Sequence, residues 1–87
     1  INDKAHKVRF WAAPEQVPYI ETKPLHKSQF VVQRNDDGSA IFQIEVVLNY
    51  ELEKDLLGFG ECVKVLSPRI LVHNISKRLL RAAQNYQ

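Results

Sequence analysis

The chain has 87 residues, 45% hydrophobic and 25% charged, with a formal net charge of +2. Such a chain has room for one small domain, is too apolar and too weakly charged to be disordered, and lacks the ~20-residue apolar run of a membrane-spanning helix. Its single cysteine, Cys62, excludes an internal disulfide and suits a reducing cytoplasm.

Residues 6–12 alternate Val8 and Phe10 with Lys7, Arg9 and Trp11, the two-residue period of a half-buried strand. Ala12-Ala13-Pro14 begins a turn, and Pro14 and Pro18 together forbid a long helix, so a short one is expected near Pro18 with Tyr19 and Ile20 inward, ending before Pro24. A second strand is expected over 28–34 with Phe30 and Val32 on its inner face. Asn35-Asp36-Asp37-Gly38 is a hairpin signal, because Asp and Gly tolerate the positive φ of tight turns. The third strand, 40–48, carries Phe42, Ile44, Val46 and Leu48 inward. Asn49 is placed to cap a helix over 50–57 whose stripe is Leu52, Leu56 and Leu57, ended by Gly58 and Gly60. A short strand over 62–66 follows. Ser67-Pro68 supplies a capping hydroxyl before a helix-starting proline, and the last helix runs from 68 to the end with Leu71, Ile75, Leu79, Ala82 and Tyr86 on its inner face. The order predicts an α+β fold, a ferredoxin-like β-α-β-β-α-β split unit with helices on one face of an antiparallel sheet plus an extra C-terminal helix. The start at Ile1 and helix-forming residues up to Gln87 lead to the expectation of one domain, 1–87, cut from a longer polypeptide.

Charge is segregated along the chain. Residues 1–34 carry six Lys/Arg against three Asp/Glu, residues 35–67 two against seven, and residues 68–87 four bases (Arg69, Lys77, Arg78, Arg81) with no acid. A basic end either complements a helix dipole or meets phosphates or an acidic neighbour.

Catalysis finds little support. His6, His26 and His73 stand in three separate segments without metal-ligand spacing, so neither metal nor cofactor is expected. Cys62 follows Glu61, which disfavours a thiolate. Gly58-Phe59-Gly60 lacks the residues of a phosphate loop, and Ala12-Ala13-Pro14-Glu15 lacks the glycine-rich, arginine-bearing loop of acyl-phosphate hydrolases. Two surfaces remain. The open face of the sheet is expected to show Lys7, Arg9, Trp11, Gln29, Gln33, Gln43, Glu45 and Lys64, a basic, amide-rich surface with one aromatic on which single-stranded nucleic acid can lie. The last helix carries Ile70, Val72, Leu80 and Ala83 outside its core stripe, a surplus that calls for a second packing partner.

Taken together, several segments resemble a known family. They are Pro24-Leu25-His26-Lys27-Ser28-Gln29, Asp37-Gly38, and Leu56-Leu57-Gly58-Phe59-Gly60 leading into Val63-Lys64-Val65-Leu66-Ser67-Pro68, with Leu71, Ile75 and Tyr86 beyond. Over about His6 to Tyr86 the chain is similar to the C-terminal extension (WCX) domain that follows the WYL domain in bacterial helix-turn-helix transcriptional regulators. The resemblance implies a regulatory role without enzyme activity, in which WYL and extension domains sense a nucleotide-like or single-stranded DNA effector and the extension supports a homodimer. DNA binding would then belong to the upstream helix-turn-helix. Many members read Pro-x-x-Leu-Arg in the last helix; here Val72 follows Leu71, with Arg69 nearby. The residues assigned to ligand contact are Arg9, Trp11, Lys64 and Arg69, and those assigned to an interface are Ile70, Val72, Leu80 and Ala83. The alternative is a pure assembly module whose sheet contacts no ligand.

Overall fold

In the computed structural model residues 4–87 are described; Ile1, one basis for expecting an upstream segment, lies outside them. Alternation along β1 (Ala5–Ala12) buries Val8, Phe10 and Ala12 and leaves Lys7, Arg9 and Trp11 on the other side. A turn then leads into α1 (Val17–Thr22), with Pro18 in its first turn, where its missing N–H breaks no helical bond. Next come β2 (Phe30–Arg34), β3 (Ala40–Val47) and α2 (Tyr50–Leu57). A 3-10 turn at Gly60–Cys62, opened by Gly60 at φ +60°, precedes β4 (Val63–Ser67) and α3 (Arg69–Gln84).

The strands form one antiparallel sheet in the order β2-β3-β1-β4. With helical crossovers after β1 and β3, this is an α+β fold with the split β-α-β connectivity expected. Opposed across the central strands, Phe10 and Phe42 stack with ring centroids 5.5 Å apart. Val17 and Ile20 of α1, Leu52 and Leu56 of α2, and Leu71 and Ile75 of α3 close over them. Asn49 caps α2 as predicted, its side-chain oxygen accepting the Leu52 N–H at 2.9 Å.

Four local expectations change. The strand assigned to 28–34 begins at Phe30, because Ser28 and Gln29 bond through their side chains. The Ser28 hydroxyl accepts the Glu45 N–H at 2.8 Å, while Gln29 accepts the Leu25 N–H and donates to the Ile20 carbonyl. Gln29 therefore ties down the loop instead of joining the open face. A bulge between Val31 and Gln33 breaks the alternation of β2. Val31, opposite Phe42, packs on the core, whereas Phe30, opposite Gln43, is 53% exposed. In α1 the buried residues are Val17 and Ile20, and Tyr19 is exposed. Ser67 does not cap α3. It is the last residue of β4, paired with Arg9, and a cis Ser67–Pro68 bond leads to Pro68, whose carbonyl accepts from the Leu71 and Val72 N–H groups.

The inner stripe predicted for α3 is covered only in its first half. Leu71 and Ile75 are buried, but Leu79 is 48% exposed, and Ala82 and Tyr86 are also exposed. The sheet runs out beneath the helix, since β4 has only five residues.

At the hairpin, Gly38 takes φ +93° and its N–H donates to the Asn35 carbonyl. The Asp37 carboxylate accepts the Ser39 hydroxyl at 2.6 Å and the Ser39 N–H at 2.9 Å. These donors, the hydroxyl above all, hold its pKa below the ordinary 3.8. The stabilisation is therefore present above pH 3.8 and disappears as pH falls through the depressed folded value. An NMR titration of the Asp37 carboxyl is expected to give a midpoint under 3.8 that moves back up in Ser39→Ala.

Candidate functional site

Strand register arranges the uncovered face in rows. In one row Gln33, Ile41, Trp11 and Lys64 lie side by side across all four strands. In the next, Phe30, Gln43 and Arg9 are neighbours, and beyond them Glu45 opposes Lys7. Trp11, Ile41, Lys64 and Leu66 line a shallow hollow of about 380 Å³. One aromatic, two aliphatic residues and one lysine thus share its walls. Arg9 stands two residues from Trp11 on the same side of β1, its Nε donating to Gln43 Oε1 at 2.8 Å. This bond uses one nitrogen, leaving the two terminal nitrogens as fixed donors.

Such a surface can stack one planar ring on the indole and set cations beside any anionic group attached to it. Of the residues assigned to ligand contact, Arg9, Trp11 and Lys64 come together here, whereas Arg69 stands exposed on the first turn of α3, outside the sheet. Sequence reading missed Ile41, Leu66 and Phe30. Alternation in β3 placed Phe42 and Ile44 inward, which already turns Ile41 outward, but nothing in the sequence announced the bulge that exposes Phe30.

The assigned interface residues separate in their burial. Ile70 is exposed, Leu80 is 61% exposed and Ala83 is exposed, while Val72 is half-buried and packs against the core. A further cluster went unpredicted. Glu53, only 8% exposed, receives a hydrogen bond from Arg78 Nε at 2.6 Å, and the Arg78 guanidinium lies 4.9 Å from the Tyr50 ring centre. Lys77, Arg78, Arg81 and Asn74 join Glu53 around a polar hollow of about 220 Å³. The only sequence sign of it is the place of Glu53 beside the Leu52–Leu56 stripe, because its partner lies 25 residues away.

His26 accepts locally, with Nδ1 2.7 Å from the Ser28 hydroxyl, and Cys62 is a half-buried free thiol. Among the described residues no group of three or more His, Cys, Asp or Glu is placed to hold a metal ion, and no helix is long and apolar enough to cross a membrane.

This α+β domain with an uncovered basic and aromatic sheet face matches the model of the WCX domain over residues 4–83. The chain belongs to the WCX family, and so to the regulatory domains of WYL-type regulators. Among proteins of curated function, none matches it.

Removing Arg78 would leave the Glu53 carboxylate in a largely buried site without its cation. Arg78→Ala is therefore expected to destabilise the fold by about 1–3 kcal/mol in urea unfolding, with Arg78→Lys costing less because charge is kept.

Proposed function

We propose that this WCX domain is a non-enzymatic regulatory part of a cytoplasmic bacterial transcriptional regulator. It would act beside WYL and helix-turn-helix domains of the same polypeptide and use its open sheet face to contact a nucleotide or single-stranded DNA effector. The observation that carries the reading is the hollow that Trp11 and its cross-strand neighbour Lys64 line together, with Arg9 two residues from Trp11 on the same face. Stacking on the indole tolerates any base, and the cations supply phosphate contacts independent of sequence. The face therefore suits recognition of single-stranded character more than a particular base order.

A second reading, homodimerisation or docking through α3, is favoured by a separate observation. Past Ile75 the helix carries Leu79, Leu80 and Ala83 in the open, with Tyr86 beyond it 92% exposed. Exposed aliphatic residues at this helical spacing fit a partner surface.

Trp11 is the only tryptophan, so its emission reports directly on the hollow. Oligothymidylate is expected to quench it, with Trp11→Ala weakening binding by about 1–3 kcal/mol and Lys64→Ala or Arg9→Ala each lowering the salt slope by about 0.7. Unchanged emission, or equal affinity of all forms, would remove the effector assignment. For the helix, sedimentation is expected to show concentration-dependent association that Leu80→Glu abolishes; a strictly monomeric chain counts against self-association.

A further inference from the structure

β4 is an edge strand, paired only with β1. At its start the Ala13 N–H donates to the Cys62 carbonyl at 2.8 Å. Because hydrogen-bonded pairs alternate along an antiparallel ladder, the Trp11–Lys64 pair is bonded as well. The backbone N–H and C=O groups of Val63 and Val65 consequently point away from the sheet, toward its free edge. Their side chains turn to the helical layer, and there a second hollow opens, of about 280 Å³. Val63 and Val65 form one wall; Val72, Ile75 and Leu79 of α3 form the other.

Free edges are usually blunted by proline, inward charge or a covering segment. β4 contains no proline, and its one charged residue, Lys64, alternates to the side of the sheet opposite Val63 and Val65 and borders both hollows. At the other edge, β2 is bent by its bulge and Arg34 is ion-paired with Glu21. The β4 edge thus offers an open row of donors and acceptors beside an apolar slot.

We propose that this groove receives an extended segment of a partner polypeptide. The segment adds a strand to β4 and drops one bulky aliphatic side chain between β4 and α3. In such strand addition main-chain hydrogen bonds supply affinity and a pocket for an alternate side chain supplies specificity. Residues paired across two strands point to the same side, so the guest residue opposite Val65 lies over the hollow. Charge at the two ends gives the guest a direction. Glu61 borders the hollow at the start of β4, and Arg69 lies one turn before Val72 at the far end. An antiparallel guest, the orientation of every strand pair in this sheet, fits best with an acid at its N-terminal side and a base at its C-terminal side.

A second copy of the chain pairing β4 with β4 does not fill this slot. Its Val63 and Val65 side chains are already the walls of its own hollow, with Val65 buried in its core. The occupant needs a side chain free of any core, which is the property of an extended segment. The groove opens on the helical side of the sheet and the Trp11 hollow on the uncovered side, with Lys64 bordering both. Val63 and Val65 border the groove and not the Trp11 hollow, so their amides report on the groove alone.

The test uses the capped pentapeptide Glu-Thr-Leu-Thr-Lys at millimolar concentration with the isotope-labelled chain. The Val63 and Val65 amide signals are expected to shift and their hydrogen exchange to slow by about tenfold or more. Replacing the peptide leucine by alanine should weaken binding by about tenfold. N-methylation of the peptide backbone at the leucine should abolish it, as should Leu79→Glu in the protein, which places a charge at an exposed wall of the slot. Three outcomes overturn the proposal: no response at these two amides, a response that survives N-methylation, or shifts that follow protein concentration without peptide and so report a second copy.

Discussion

The stacked pair of Phe10 and Phe42 fixes how the two central strands face each other, and most other features follow from that register. A slip of one residue between β1 and β3 would put Phe10 and Val8 on the opposite face from Phe42 and Ile44, sending one of the two sets to the uncovered side. Such a slip would also part Arg9 from Gln43 and Trp11 from Ile41, so the candidate site depends on the same contact as the core. Core and site are two sides of the same strands, read by alternate residues.

This dependence explains which parts were legible from the sequence. Strict alternation made β1 and β3 readable residue by residue, and the Asn49 cap and the Asp37-Gly38 turn followed from side-chain chemistry confined to a few neighbours. Where the chain departs from simple alternation, reading failed. The bulge in β2 reversed Phe30 and Val31, and side-chain bonds of Ser28 and Gln29 replaced two residues of expected ladder. Ser67 looked like a cap because the local sequence cannot show that its backbone is committed to pairing with Arg9. The Glu53–Arg78 contact joins two elements distant in sequence, and no periodicity within either element encodes such a meeting. Arg9, Trp11 and Lys64 were found together because alternation suffices to choose a face; the hollow they border also needed Ile41 and Leu66, whose importance appears only when strand order is known.

Charge segregation acquires a spatial meaning in this fold. The acid-free end of the sequence forms α3, and its Arg78 is drawn onto Glu53 from the acidic middle, beside Tyr50. The pair therefore fastens α3 to α2 at the point where apolar cover gives out, just before the exposed Leu79 and Leu80. An exposed ion pair would contribute little there, but a carboxylate held in a largely buried site makes the contact directional.

One residue, Pro68, separates the end of β4 from the start of α3. With a rise of about 1.5 Å per residue, the helix continues some 13 Å past Ile75, its last buried residue. A single residue thus joins the strand that carries Lys64, a wall of the Trp11 hollow, to the helix whose end is uncovered, so both surfaces belong to one continuous stretch of chain.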